Sequence, residues 1–232
     1  MMNFRVFETE EAAVSGLTDL VVTSALQSGR CVISLSGGTT PAALYESLSR
    51  GSAWDELSRC QVVWVMGDER CVAPDHEMSN SRMVTEKLFG AGIPDRHTFL
   101  RFRTELGDPA EVASAFEGEW RSHGIGRIDL ALLGVGDDGH TASLFPGTAI
   151  LSEHDRIARE VWVERLGAWR VSLTIPMLRS ARTRIVLALG GGKKEILTRL
   201  LEGVGCPVSE VMSGGADAWW FVDREAYPGD DA

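Results

Sequence analysis

Short, nearly unbroken apolar runs alternate along this chain with stretches whose apolar positions recur at helical spacing. Residues 4–7, 31–35, 61–66, 128–134, 170–175, 184–189 and 219–222 read as strands, several of them apolar enough to be buried on both faces. Between them, 10–27 reads as a helix with Ala13, Leu17, Leu20 and Val21 on one face, and 41–48 as a helix turning Leu44, Tyr45 and Leu48 inward. Residues 79–89 form a predicted helix closed by Gly90, 109–123 one capped by Asp108, and 193–201 the last. Strands that alternate with helices in this way predict an α/β fold, a mostly parallel sheet with helices on both faces.

A chain of 232 residues with 44% hydrophobic content can bury the core of one such domain. No repeat, low-complexity tract or linker divides it, so 1–232 is expected to form a single domain, with 226–232 as a frayed tail. Lys and Arg number 23 against 33 Asp and Glu, a formal net charge of −10. That balance argues against nucleic acid and anionic membranes as partners. It also means that an anionic small molecule must be held by a local basic cluster. The four cysteines, Cys31, Cys60, Cys71 and Cys206, show no C-x-x-C spacing and read as reduced, buried thiols, although their even number leaves a disulfide open. The first ten residues lack the pattern of a signal peptide, and no apolar run is long enough to span a bilayer. A cytoplasmic protein is expected.

Chemistry concentrates after the strand at 128–134. The run Gly134-Val135-Gly136-Asp137-Asp138-Gly139-His140-Thr141 carries a carboxylate and an imidazole two residues apart. It lies where strands of an open α/β sheet present ligand sites. Histidine ordinarily titrates near neutrality, so His140 can take and return a proton at working pH. A solvated glycine-rich turn would look similar taken alone. Three other segments repeat the theme. Ser36-Gly37-Gly38-Thr39-Thr40-Pro41 follows a buried strand and opens a helix, as a phosphate cradle does, although a Thr-capped turn has the same letters. Gly67-Asp68-Glu69-Arg70-Cys71 ends another strand, with Arg70 a natural bidentate phosphate ligand. Arg170 opens a strand, and Gly190-Gly191-Gly192-Lys193-Lys194 places cations at a helix start, where an anion is needed to offset them. His76, His97, His123 and His154 show no metal-ligand spacing and read as surface or loop residues.

Taken together and in this order, these motifs resemble those of the 6-phosphogluconolactonases, within the glucosamine/galactosamine-6-phosphate isomerase superfamily. The resemblance runs from about Phe4 to Arg224. It rests on the 36–41 and 67–70 motifs, Ser79-Asn80, the run Asp138-Gly139-His140-Thr141-Ala142-Ser143-Leu144-Phe145-Pro146-Gly147 and the Lys193 glycine loop. It implies a modified Rossmann-like sheet of the glucosamine-6-phosphate deaminase type. The implied activity is hydrolysis of 6-phospho-D-glucono-1,5-lactone in the oxidative pentose phosphate pathway, without metal or cofactor. By the same resemblance His140 is the general base and Asp138 its carboxylate. Arg70, Arg170, Lys193 and the Gly37, Gly38 and Thr39 backbone line the phosphosugar pocket. A monomer is expected, with a weak homodimer as the alternative.

Two other functions compete. A glucosamine-6-phosphate deaminase has a similar D-G-H loop, but that loop continues to an acidic residue where this chain has Phe145, and it carries Tyr in place of Arg70 after Asp-Glu. A non-catalytic phosphosugar-sensing regulator would need a basic DNA-binding segment, which this chain lacks.

Overall fold

The computed structural model describes residues 2–90, 92–214 and 217–229. The elements in chain order are β1 (Phe4–Phe7), α1 (Glu10–Gln27), β2 (Cys31–Leu35), α2 (Thr39–Leu48), α3 (Gly51–Leu57), β3 (Val62–Met66), β4 (Asp68–Arg70), α4 (Asn80–Leu88) and β5 (His97–Leu100). They continue with α5 (Pro109–Ser122), β6 (Leu130–Leu133), β7 (Ala158–Val163), β8 (Ala168–Leu173), α6 (Ile175–Arg179), β9 (Thr183–Ala188), α7 (Lys194–Leu201), α8 (Pro207–Met212) and β10 (Asp217–Asp223). Helix starts follow local chemistry. Thr9 accepts from the Ala12 amide ahead of an acidic first turn in α1, and Asp108 accepts from the Ala110 and Glu111 amides with Pro109 beginning α5.

Seven strands form one parallel sheet in the order β1-β10-β9-β6-β2-β3-β5. Strands β2, β3 and β6 are buried along their whole length, as their apolar runs predict. From β2 the chain builds outward to β3 and β5, then returns to β6 and builds the other way to β9 and β10. The topological switch point therefore lies between β2 and β6. There the loops leaving their carboxyl ends diverge and open a crevice. Those two loops are the Gly37 and His140 segments.

A second sheet, β4-β8-β7, is antiparallel. The chain passes from one sheet to the other at Gly67, whose amide donates to the Leu35 carbonyl at 2.8 Å while its own carbonyl accepts from the Leu173 amide at 2.8 Å. A Cβ on Gly67 would sit 2.9 Å from the Leu35 carbonyl oxygen, so only glycine lets the strands approach this closely.

Several expectations need correction. The predicted strands and helices are present, with ends displaced by a residue or two where they differ. Arg170 lies in the middle of β8 rather than at its start, and Lys193 belongs to a one-turn 3-10 helix just before α7. The polar run Asp68–Arg70 is a strand, which its charges conceal. Strands β5 and β7 and helices α3, α6 and α8 had no distinct sequence signal. The tail is docked at its beginning: Ala226 is buried and donates to Asp223, and the Tyr227 ring meets Phe4 edge-on at 5.3 Å. Residues 230–232 lie outside the described residues. All four cysteines are free, but only Cys31 is fully buried; burial pushes its thiol up to about 12.

His97 is neither a surface nor a loop residue. It opens β5 and is buried, with Nδ1 accepting from the Trp64 indole at 3.1 Å and Nε2 donating to the Leu57 carbonyl at 2.9 Å. The indole only donates and the carbonyl only accepts, so this tautomer is fixed and a second ring proton would face the indole N–H. Burial pushes the imidazole below its ordinary value, against the opposing pull of the Leu57 carbonyl. The folded state then resists protonation while the unfolded chain takes a proton below about pH 6.5, so stability is lost as pH falls below that value. The urea midpoint of the wild-type protein is expected to fall between about pH 7.5 and about pH 5.5. His97→Gln should be less stable at the higher pH and lose less on acidification; an equal loss in both proteins would remove His97 as the cause.

Candidate functional site

Strand β4 divides its three charges by face, since alternate side chains point opposite ways. Glu69 turns toward α4, whereas Asp68 and Arg70 turn into the crevice. The buried Glu69 carboxylate accepts from the Arg70 amide at 2.8 Å, the Asn80 and Ser81 amides at 2.7 Å each, and the Ser79 hydroxyl at 3.2 Å. The amides of Asn80 and Ser81 are unpaired donors of the first turn of α4, so the helix start satisfies the buried charge. This clamp fixes Asn80, whose side chain donates to the Asp68 carbonyl at 3.1 Å and lies against Gly37. A Cβ on Gly37 would fall 2.0 Å from the Asn80 amide oxygen. Gly37 is thus required for packing of the β2 loop on α4. Gly38, with φ of 111°, is the N-cap of α2.

The crevice has a volume of about 290 Å³. Its walls include Gly37, Gly38, Arg70, His140, Arg170 and Lys193, which come from five separate loops and strands. Thr39 is exposed at the first position of α2 and does not line it, and Asp138 stands behind His140 rather than on the wall. The walls also include Ser36, Asp68, Asn80, Thr141 and Ala142, which sequence reasoning did not assign to the pocket. All five belong to the motifs quoted above, but nothing in the sequence indicates which way they face.

Arg70 and Arg170 are directly paired across the β4–β8 ladder. The Arg70 guanidinium donates to the Met78 carbonyl at 2.6 Å, yet the buried Nε atoms of both arginines lack protein partners. Burial pushes the Arg170 guanidinium below its ordinary value; Asp68 and Glu69 oppose this, and Arg70 and Arg165 add to it. Two cations on opposed positions with unpaired donors form a site that an oxyanion would complete. Lys193 pairs with Asp137 at 2.8 Å, a side chain that is 85% exposed, so a competing anion can readily take its place.

The His140 loop folds tightly around its own backbone. The Gly136 amide donates to the His140 carbonyl at 2.9 Å, and a Cβ on Gly136 would lie 2.1 Å from the His140 ring. Gly139 adopts φ of +79°, and a Cβ there would meet Cys206 at 2.5 Å. Ala142 has φ of 48°, a strained conformation for a residue with a Cβ. The next residue anchors the loop to two strands of the second sheet, β4 and β8: the Ser143 hydroxyl donates to Asp68 at 2.6 Å, and its amide donates to the Ser172 hydroxyl at 3.3 Å.

The Asp138 carboxylate lies 2.5 Å from His140 Nδ1 and 3.1 Å from the His140 amide. Since a carboxylate accepts, Nδ1 carries the proton and Nε2 is left as the basic nitrogen. Burial pushes the Asp138 carboxyl up, but its bonds from the His140 ring and amide and the nearby charges of His140 and Arg165 outweigh this and hold it below the usual range. Phe145 stacks on the His140 ring at 4.2 Å and is buried. Arg165, which had no signal in the sequence, reaches Asp138 at 2.9 Å. Among the described residues no cluster of three or more His, Cys, Asp or Glu side chains is placed to hold a metal ion, and no helix is long and apolar enough to cross a membrane.

Comparison with known proteins follows the same lines. Residues 8–220 match the family model for glucosamine-6-phosphate isomerases/6-phosphogluconolactonase. The chain is 33% identical over 227 residues to the 6-phosphogluconolactonase of Synechocystis sp., covering 93% of this chain and 91% of that one. The solved 6-phosphogluconolactonase from Trypanosoma cruzi superposes with a TM-score of 0.83 at 25% identity, covering 97% of this chain and 96% of that one. A monomeric glucosamine-6-phosphate deaminase superposes with a TM-score of 0.80 at 22% identity, over 97% of this chain and 98% of that one, and shares the fold.

An anion that completes the Arg70–Arg170 pair binds only the folded protein and must stabilise it. Inorganic phosphate at about ten times its Kd is expected to contribute roughly 1.4 kcal/mol, seen as a rise in Tm. Arg70→Gln and Arg170→Gln should abolish that rise. A Tm that climbs equally in wild type and both variants would place the anion elsewhere.

Proposed function

The chain belongs to the glucosamine-6-phosphate isomerase/6-phosphogluconolactonase family, and we propose that it hydrolyses 6-phospho-D-glucono-1,5-lactone to 6-phospho-D-gluconate in the pentose phosphate pathway. The observation that carries this reading is the Asp138–His140 pair, with Nε2 free to act as a base, on the wall of a crevice that also holds two incompletely paired arginines. Arg70, Arg170 and Lys193 hold the phosphate, and the Gly37–Gly38 turn admits the sugar close to the backbone. Asp68 and Asn80 offer an acceptor and a donor to its hydroxyls.

A δ-lactone is an activated ester and needs only a positioned water. His140 Nε2 takes a proton from that water as its oxygen attacks C1. Collapse of the tetrahedral intermediate breaks the bond between C1 and the ring oxygen, and the imidazolium returns its proton to the departing oxygen. The new carboxylic acid then ionises, releasing one proton to solvent. Asp138 holds the ring and stabilises the imidazolium. Phosphate binding remote from C1 keeps the sugar in register.

Opening an amino-sugar ring and moving protons at C1 and C2 calls for an acid–base pair. At position 145, where deaminase loops of this type carry an acid, a buried phenylalanine covers the imidazole face and cannot exchange a proton. This favours hydrolysis.

Acid release from the lactone, corrected for spontaneous hydrolysis, is expected to fall about 10²–10⁴-fold in His140→Ala, while 6-phosphogluconate still binds. Turnover near that of wild type would remove His140 from the chemistry. In the same wild-type preparation, glucosamine 6-phosphate should yield no ammonia. Ammonia formed at a rate comparable to lactone hydrolysis would assign the chain to the deaminases instead.

A further inference from the structure

The hairpin joining β7 and β8 carries Arg165 at its tip, from which it reaches Asp138. The tip is a well-defined turn. Glu164–Leu166 form a single 3-10 turn, Gly167 adopts the left-handed conformation and its amide donates to the Glu164 carbonyl at 3.0 Å. Trp162 and Trp169 face each other across the strands, their rings 5.6 Å apart, and the Trp162 indole donates to Glu164 at 2.6 Å. From this turn the Arg165 guanidinium contacts Asp138 Oδ2 at 2.9 Å, while Oδ1 of the same carboxylate meets His140. The guanidinium also lies 4.9 Å from the centroid of the Phe145 ring, which stacks on His140. Imidazole and guanidinium thus both lie against the Phe145 ring, which the Arg170 guanidinium also approaches at 5.6 Å, and both bind the one Asp138 carboxylate.

We propose that Arg165 is a positioning residue for the His140 base: it divides the Asp138 carboxylate with His140 and locks the imidazole against Phe145. The role rests on His140 being the base of the lactonase reaction. Arg165 does not line the crevice, so it is not assigned to the phosphate. Its charge nevertheless bears on the reaction. A cation that shares the Asp138 carboxylate weakens that carboxylate's attraction for an imidazolium, so removing the cation should favour the protonated ring. Other charged groups share the crevice with the imidazole: Asp68 and Arg70 from β4, Arg170 from β8 and Lys193, paired with the exposed Asp137, from the segment before α7; Asp138 binds the ring from its own loop. Cys206, at the start of α8, packs against Gly139. All of these are retained in Arg165→Gln, so the variant removes one charge. Because Arg165 is 56% exposed, solvent screening limits its effect.

The test is Arg165→Gln, with Arg165→Lys as the charge-retaining variant, in the full-length protein checked for folding by circular dichroism. NMR titration of the histidine ring protons, with the His140 signal assigned by its loss in His140→Ala, is expected to show the His140 midpoint about 0.5–1 pH unit higher in Arg165→Gln. The acid limb of kcat/KM for the phosphorylated lactone should move up by the same amount. kcat at the plateau should fall less than about tenfold, and Arg165→Lys should recover most of both effects. The ratio of KM values for phosphorylated and unphosphorylated lactone should stay as in wild type. An unmoved His140 midpoint would overturn the proposal, as would a fall in kcat without a shift of the limb. A KM increase confined to the phosphorylated lactone would make Arg165 a phosphate ligand and equally overturn it. If the wild-type protein hydrolyses no lactone, the reading of its reaction fails, whereas the His140 midpoint still decides what Arg165 does.

Discussion

Taking the Glu69 carboxylate out of water is costly, and the donors that compensate it come from its own strand and from the start of α4. Leaving a buried charge of this kind without its partners typically costs about 3–5 kcal/mol. The clamp therefore fixes where α4 begins relative to β4. Asn80 is placed by it, and through Asn80 the Gly37 loop is packed. On the other face of the same short strand, Asp68 holds the His140 loop through Ser143, and Arg70 meets Arg170. The Gly37, His140 and Arg170 walls of the crevice trace back to this one strand, set beside the switch point of the large sheet.

The site runs against the average electrostatics of the molecule. The chain is acidic overall, yet Arg70, Arg170 and Lys193 share one crevice. Like charges directly opposite on a ladder repel, and the rigid sheet holds them together all the same. An anion entering between them would relieve that repulsion, which is why the proposed function gives the phosphate to this pair. Beside this cluster the Asp138–His140 pair is built with a fixed tautomer, so the cation cluster and the imidazole occupy distinct parts of one cleft.

Much of this was legible along the chain. The parallel strands declared themselves through unbroken apolar runs, because a strand covered on both faces has no polar side to show. Glycines after β2 and β6 marked the loops where backbone must come close to other groups, and His140 stood out by its place after a strand. Charged and short elements were hidden. Asp68–Arg70 reads as a loop because its polar residues are satisfied by partners that are remote in sequence, among them Ser143, 75 residues away. His97 reads as a surface histidine because nothing adjacent to it announces the Trp64 indole and the Leu57 carbonyl that bracket its ring.

The sequence by itself determined the periodicities, and with them the α/β class and the order of the main strands and helices, and it singled out Asp138, His140, Arg70, Arg170 and Lys193 as candidate site residues. Those are local properties, set by the spacing of apolar side chains and by what glycine, proline and ionisable groups do to their neighbours. Only the tertiary structure decided which of them meet. It placed the strand reversal between β2 and β6, paired Arg70 with Arg170, turned Asp138 behind the imidazole rather than into the cleft, and brought Arg165 down from a hairpin onto the same carboxylate. These juxtapositions join residues far apart in the chain. They are fixed by sheet order, cross-strand register and the need of every buried charge for a partner, none of which is encoded in a contiguous stretch of residues.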